Sequence, residues 1–237
     1  DPLAPAPRWH LVVVGDEQVA TPGNPVHGRI ARLDPAGNLI FDHAYADPDG
    51  RPGMRFRAVT QAPGPGGGVD NLVVAGSLGR GPDWSVDRRA LLFRVDARGT
   101  PVCNLYLGRP DRRNEDFNGI ALQRVAPFSG QTVLVGATTS AADPDDADVY
   151  LARFRAGTCS PLAEAFWFDP LDGAVGHDLV ESPRNVWGTS GAIVATGTLR
   201  GPFTSGDGFA LVADPSTLGP VGTPIRYGDQ GRGAEGL

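Results

Sequence analysis

Glycines that close short apolar runs recur at positions 15, 76, 136 and 197, at intervals of 61, 60 and 61 residues. The runs are Leu11-Val-Val-Val-Gly15, Leu72-Val-Val-Ala-Gly76, Val133-Leu-Val-Gly136 and Ile193-Val-Ala-Thr-Gly197. A fixed period of this length constrains the fold more than any other feature. It marks a stack of repeated supersecondary units, none of which can bury its faces alone. Three more series keep the register. One is Gly28-Arg-Ile-Ala-Arg-Leu-Asp34, Ala90-Leu-Leu-Phe-Arg-Val-Asp96, Val149-Tyr-Leu-Ala-Arg-Phe154 and Phe209-Ala-Leu-Val-Ala-Asp214. Another ends near the aromatics Tyr45, Tyr106, Phe168 and Tyr227. The last comprises Phe56-Arg-Ala-Val-Thr60, Gly119-Ile-Ala-Leu-Gln123 and Asp178-Leu-Val-Glu181, with Gly236-Leu237 opening a further copy.

Each repeat therefore holds four candidate strands, of which the glycine-closed run is the second. That run is near-continuously apolar, as in a strand buried on both faces. The third strand, as in Arg29-Ile-Ala-Arg-Leu33, alternates as if covered on one face. Asp34-Pro-Ala-Gly37 and Asp96-Ala-Arg-Gly99 carry the composition of tight hairpin turns, and no helical periodicity occurs anywhere. The pattern predicts an all-β chain folded as a β-propeller of four blades, each of four antiparallel strands. The N-terminal repeat lacks its first strand, and Gly233-Ala-Glu-Gly-Leu237 opens one. The two ends thus predict a composite closing blade, which removes exposed sheet edges; the alternative is a piece of a longer propeller. Residues 1–8 read as a Pro/Ala-rich tether and 9–237 as one propeller. Its repeats fall at about 9–54, 55–111, 112–172 and 173–231, with a closing strand at 232–237.

Composition narrows the function classes. With 33 Gly and 22 Pro the chain nears the range of low-complexity disorder, but its Val, Leu, Ile and Ala come in short runs between turns, as in a turn-rich β protein. The net charge of -6 and the pI of about 5.1 argue against a nucleic-acid or anionic-membrane partner. No apolar run approaches the roughly 18 residues of a membrane span. All 21 basic residues are Arg, as GC-rich codon usage gives, so no lysine chemistry is available.

The segments Arg29-Ile-Ala-Arg-Leu-Asp-Pro-Ala-Gly-Asn38, Ala90-Leu-Leu-Phe-Arg-Val-Asp-Ala-Arg-Gly99 and Gly206-Asp-Gly-Phe-Ala-Leu211 resemble the secreted bacterial β-propeller repeat (SBBP-type) proteins. The resemblance covers nearly the whole chain. It departs where Arg155 takes the usual Asp position and where the turn lengthens to Asp214-Pro-Ser-Thr-Leu-Gly219. It implies a fold and an extracytoplasmic or surface setting. It implies no shared activity, so no catalytic residue carries over.

The residues themselves offer few sites. Asp143, Asp145, Asp146 and Asp148 cluster between second and third strands and hold the hard oxygens Ca²⁺ needs, without the spacing of the twelve-residue calcium loop. The plainer reading is an acidic loop whose aspartates cap turns. His10, His27, His43 and His177 lack metal-site spacing and read as half-buried strand residues. No nucleophile elbow or phosphate loop is present. Asp111, Glu115, Asp116, Asp169 and Asp172 read as exposed acids of equivalent turns on one rim. Cys103 and Cys159, near equivalent positions in neighbouring repeats, are either a disulfide or two buried thiols. Trp84, with Arg80 and Asp83, is the leading candidate for a recognition loop, because exposed Trp stacks on sugars and anchors interfaces.

The expected function is a non-enzymatic extracytoplasmic binding or scaffold propeller for a protein or carbohydrate ligand, with no nucleic acid, no membrane insertion and no cofactor beyond a candidate Ca²⁺. The alternatives are a hydrolase or lactonase using channel-lining acids, which would have to converge from equivalent positions of different blades, and a calcium-stabilised repeat of a larger adhesin.

Overall fold

β-branched runs bounded by Gly, Pro and Asp turns fold into strands throughout, and no helix forms among the described residues. The structure is a computed structural model and describes residues 10–20, 25–47, 53–63, 71–79, 88–108, 112–140, 147–168, 173–182, 190–200 and 207–228. The tether at 1–8 and the closing strand at 232–237 lie outside these residues.

The strands form four consecutive antiparallel meanders that follow the repeat. Unit 1 contains β1 (Leu11–Gln18), β2 (Val26–Leu33) and β3 (Leu39–Tyr45). Unit 2 contains β4 (Gly53–Ala62), β5 (Asn71–Gly79), β6 (Arg88–Val95) and β7 (Pro101–Leu107). Unit 3 contains β8 (Arg112–Leu122), β9 (Thr132–Ser140), β10 (Ala147–Phe154) and β11 (Pro161–Trp167). Unit 4 contains β12 (Gly173–Glu181), β13 (Ile193–Arg200), β14 (Gly208–Ala213) and β15 (Ile225–Tyr227). Units 3 and 4 are separate four-stranded sheets, whereas units 1 and 2 share a seven-stranded sheet. The sharing rests on one parallel bridge, Val26↔Gly53. The structure is thus an all-β stack of antiparallel sheets in a 7+4+4 layout, and ring closure is not seen among the described residues.

Alternation along the central strands explains the stacking. Leu72, Val74, Leu91, Phe93 and Val95 of unit 2 pack with Ile30, Phe41 and Tyr45 of unit 1. The intervening Val73, Ala75, Ala90 and Leu92 pack with Phe117, Leu134, Tyr150, Ala152 and Phe154 of unit 3. Unit 3 repeats the device: Val133, Val135, Val149 and Leu151 meet Ile193, Ala195, Phe209 and Leu211 of unit 4. β6 and β10 are therefore buried on both faces, where the sequence pattern suggested covering on one. Successive side chains of a strand point to opposite faces, and here both faces are apolar because a neighbouring sheet sits on each.

Two polar devices join units. Arg32, Arg94 and Arg153 occupy one repeat position. Arg32 donates from Nη1 to the Ala97 carbonyl of the unit 2 turn (2.9 Å). Arg153 donates to the Pro215 carbonyl and from Nη2 to the Ser216 carbonyl (2.8 Å) in the unit 4 turn, with its guanidinium 4.8 Å from the Phe128 ring centroid. Arg94 donates to Pro63 O within its own unit. The second device is the disulfide Cys103–Cys159 (Cα–Cα 6.1 Å), which ties β7 of unit 2 to the 155–160 turn of unit 3.

That turn is the one without an aspartate. Asp34 Oδ1 accepts from the Ala36 and Asn38 amides, Asp96 Oδ1 from Arg98 and Thr100, and Asp214 Oδ1 from Ser216 and Thr217 (2.7–3.0 Å). Unit 3 instead makes a turn closed by the Thr158 amide on the Arg155 carbonyl (3.2 Å), with Gly157 at φ 73°. Glycine at the third position with positive φ is the signature of a type II turn.

Candidate functional site

In an antiparallel meander, alternate connections fall at opposite ends of the sheet. The second-to-third connections and the links between units consequently gather at one end of the stack, here termed the loop end. The 3–4 hairpins lie at the other. Of the loop acids singled out in the sequence, Glu115 and Asp116 on β8 and Asp148 on β10 are described, near the strand ends at this end of the stack. Trp84, Arg80, Asp83, Asp143, Asp145 and Asp146 lie outside the described residues, as do Asp111, Asp169 and Asp172.

The described residues show how the loop bases are held. Arg88 and Arg89 open β6, and Glu115 and Asp116 face them from β8. Arg88 Nε donates to Asp116 Oδ2 (2.9 Å) and Oδ1 (3.1 Å), with Nη2 2.8 Å from Oδ2. Arg89 Nη1 lies 3.4 Å from Glu115 Oε2, and Glu115 is fully buried. The pair sits against Gly108, where a Cβ would come within 2.1 Å of Arg89 Nη1 and 2.5 Å of Glu115 Oε2. Asn114, at φ 50°, lies in the bulge between Arg113 and Asp116 that directs both acids towards unit 2. Asn is among the few residues that tolerate this left-handed conformation. Glu115 and Asp116 were expected as exposed turn acids. The bulge instead keeps them on the strand and pairs them, because a buried carboxylate persists only with a cation or hydrogen-bond donors beside it.

Asp148, the described member of the candidate calcium cluster, lies on β10 and is buried, with Arg112 on its carboxylate. The Arg112 guanidinium also lies 5.5 Å from the Phe166 ring centroid. Phe166 stacks on Tyr150 (4.8 Å) and Tyr150 on Phe117 (5.0 Å). Tyr106 OH donates to Asp47 Oδ1 (2.9 Å) and accepts from Asn104 Nδ2 (3.0 Å). Among the described residues no three His, Cys, Asp or Glu side chains are grouped to hold a metal ion.

The inner strands bring other residues together. β4, β8 and β12 each carry a one-residue bulge at the same repeat position, at Arg57, Asn118 and His177. β8 packs against both β4 and β12, and Asn118 Nδ2 donates to the Gly176 carbonyl (2.9 Å). His177 Nε2 is 2.9 Å from Thr198 Oγ1. Equivalent inner positions thus supply a guanidinium, a carboxamide and an imidazole rather than converging carboxylates. A cleft of about 490 Å³ opens between the outer strands β7 and β11, lined by Tyr106, Leu107, Gly108 and Pro161 to Glu164. Sequence reasoning did not find it, since it lies between units and no motif marks its walls. Glu164 there accepts from Tyr150 OH (3.0 Å).

No family model matches the chain, and no curated protein is similar to it.

Proposed function

We propose that the chain is a four-bladed, propeller-type extracytoplasmic module of the SBBP kind, with a composite closing blade, that binds a protein or carbohydrate ligand through its loop end and performs no catalysis. One observation carries this reading: the loop-end acids are engaged by arginines. Arg88–Asp116, Arg89–Glu115 and Arg112–Asp148 take up carboxylates that general acid–base work would otherwise use. Ion pairs that hold the strand ends, with binding left to the connections between them, suit a recognition surface. The sequential stacking of meanders through shared apolar seams supports the propeller, and a disulfide suits an oxidising compartment. The hydrolase or lactonase alternative is less well supported, since the equivalent inner positions are Arg57, Asn118 and His177.

The test combines turnover and binding. Incubation with p-nitrophenyl acetate, p-nitrophenyl glycosides and γ-butyrolactone is expected to give no rate above that of Glu115→Gln. An oligosaccharide array and solubilised peptidoglycan, used as probes, should report binding lost in Trp84→Ala. Turnover abolished by Glu115→Gln would overturn the reading in favour of the enzyme. The adhesin alternative is addressed by melting with millimolar Ca²⁺ against EDTA. With the Arg112 cation already on Asp148, no rise is expected. A rise removed by Asp145→Ala would establish a calcium-stabilised repeat.

A further inference from the structure

The cleft between β7 and β11 belongs to none of the surfaces assigned above. Leu107 and Gly108 stand on one side and Pro161 to Glu164 on the other, around about 490 Å³. That volume suits a ligand site. Ala163, Ala165 and Trp167 of β11 pack into the seam with unit 4. Successive side chains alternate, so Glu164 and Phe166 face unit 2. Phe166 is closed into the seam there, whereas Glu164 is exposed. β11 also bulges at its start. Arg153 pairs with Ala163 and Phe154 with Pro161, which leaves Leu162 as the extra residue. A bulge re-aims a side chain, and Leu162 is 39% exposed at the cleft.

Glu164 gives the cleft its charge. The hydroxyl of the buried Tyr150 donates to Glu164 Oε2 (3.0 Å) and fixes the direction of the carboxylate. Among the described residues no cation pairs with Glu164, since Arg89 is engaged by Glu115 and Arg112 by Asp148. Among the same residues β11 pairs only with β10, so no strand bonds the amides and carbonyls of its other edge. An uncovered edge pairs indiscriminately unless it is blocked. Pro161 and the bulge block the first two positions, and the next two, Ala163 and Glu164, line the cleft. A chain that pairs with this edge therefore brings its side chains to the cleft.

We propose that the cleft is a second binding site, independent of the loop end. Its ligand is an extended peptide added along the open edge of β11, with Arg or Lys beside Glu164 and an apolar residue two positions away beside Leu162. Cross-strand neighbours lie close enough to pair, and opposite charges there attract. Residues two apart on a strand share a face, so the basic and apolar side chains both enter the cleft, the apolar one towards Leu107. Main-chain bonds supply affinity in such a mode and side chains supply selectivity. The Cys103–Cys159 bridge ties β7 to the turn that leads into β11 and so holds the two walls in place before the peptide arrives.

The test selects peptides from a random display library on the full, oxidised chain and measures the selected peptides by fluorescence anisotropy. The expected pattern is a basic residue two positions from an apolar one, with binding about tenfold weaker when the basic residue becomes Ala. Glu164→Lys should lose these peptides and select Asp or Glu at the same place, a result that a failure to fold could not produce. Leu162→Ser, at an exposed position, should relax the apolar choice and leave the melting unchanged. Methylation of alternate peptide amides should abolish binding, and bound peptide should slow hydrogen exchange at residues 163–167. Trp84→Ala should bind as the parent does. Absence of an enriched pattern, a pattern unchanged by Glu164→Lys, equal binding of methylated peptides, or protection confined to other strands would each overturn the proposal. So would dependence on Trp84, which moves the peptide to the loop end. Butylguanidinium bound as tightly as the peptide would reduce the cleft to a site for a small cation and sink the strand-addition reading.

Discussion

Removal of the Cys103–Cys159 bridge should be costly in proportion to the loop it closes. The two residues are 56 apart in sequence. Closing a loop of that size lowers the entropy of the unfolded chain by an amount worth about 4 kcal/mol at 25 °C, in the chain-entropy treatment. A chain of this length shifts its midpoint by roughly 2–4 °C per kcal/mol, so Cys103→Ala/Cys159→Ala should lower Tm by roughly 8–16 °C. The location adds a local consequence. The bridge anchors the 155–160 turn, the one hairpin whose first residue is Arg155 rather than an aspartate bonded to the turn amides. Amides 157–160 should therefore lose hydrogen-exchange protection first. Calorimetry of the double variant, the oxidised parent and the reduced parent is the assay. The variant and the reduced parent should melt together. A drop of less than about 3 °C, or a reduced parent that melts well above the variant, would refute the loop-closure account and assign the effect to packing at the two sites.

Three other outcomes follow from the same geometry. Gly136→Ala should cost about 3 kcal/mol or more by chemical denaturation, because its Cβ would lie 1.7 Å from the Asp116 carbonyl oxygen on a strand packed from both sides. Arg153→Ala should cost about 2–4 kcal/mol, and Arg153→Lys should not restore it. A point charge cannot serve the Pro215 and Ser216 carbonyls as a planar fork does, whereas Arg155→Ala, on an exposed side chain, should stay within about 0.5 kcal/mol. Acid should weaken three hairpins before the fourth. The Asn38 side chain and the turn amides hold the Asp34 carboxyl below the usual range. The Ser216 hydroxyl and the turn amides do the same for Asp214. At Asp96 partial burial pushes upward, but the Thr100 and Arg98 amides prevail and the value is again lowered. Groups depressed in the folded state stabilise it fully above their unfolded value of about 4 and lose that contribution as pH falls through the folded one. Exchange at 34–38, 96–100 and 214–219 should thus accelerate below about pH 4 ahead of 155–160, and equal acceleration in all four turns would contradict the assignment.

The strands and their turns were legible because period-2 patterning and Gly or Asp punctuation are local signals. Arg29-Ile-Ala-Arg-Leu33 and Asp96-Ala-Arg-Gly99 each announce an element within a few residues. What lay between units was not legible. Nothing local says that Glu115 and Asp116 turn through a bulge towards Arg89 and Arg88, since that depends on which strand of the next sheet arrives opposite. Asp148 reads as loop acid by its neighbours Asp143, Asp145 and Asp146, and only the packed β10 and Arg112 make it a buried partner. The recurring Arg32, Arg94 and Arg153 stood in the aligned runs, but nothing in those runs assigned them a partner. Their role emerges only when each reaches a carbonyl beyond its own strand.

The outer faces of units 1 and 4 depart from the repeat in a consistent direction. Where unit 2 presents Leu91, Phe93 and Val95 to the preceding sheet, unit 1 presents Arg29, Ala31 and Leu33. Arg29 is held by Glu17 and Asp42, each at 2.6 Å. Where Arg32 and Arg153 reach forward to the next unit and Arg94 reaches Pro63 of its own, unit 4 carries Val212. Large apolar side chains have been replaced by small ones and an exposed ion triad, and the arginine latch is missing. Exposed ion pairs contribute little, whereas each fully buried Leu or Phe contributes about 1.5–3 kcal/mol. In the proposed ring, a seam between these two faces would be weaker than the three described ones. Native-state hydrogen exchange should accordingly release β1 and β13–β15 at lower free energy than β5, β6, β9 and β10, which lie between apolar seams on both faces. Uniform exchange across all strands would mean that the outer faces are as well buried as the inner seams, and the energetic ranking drawn from Arg29, Ala31 and Val212 would be wrong.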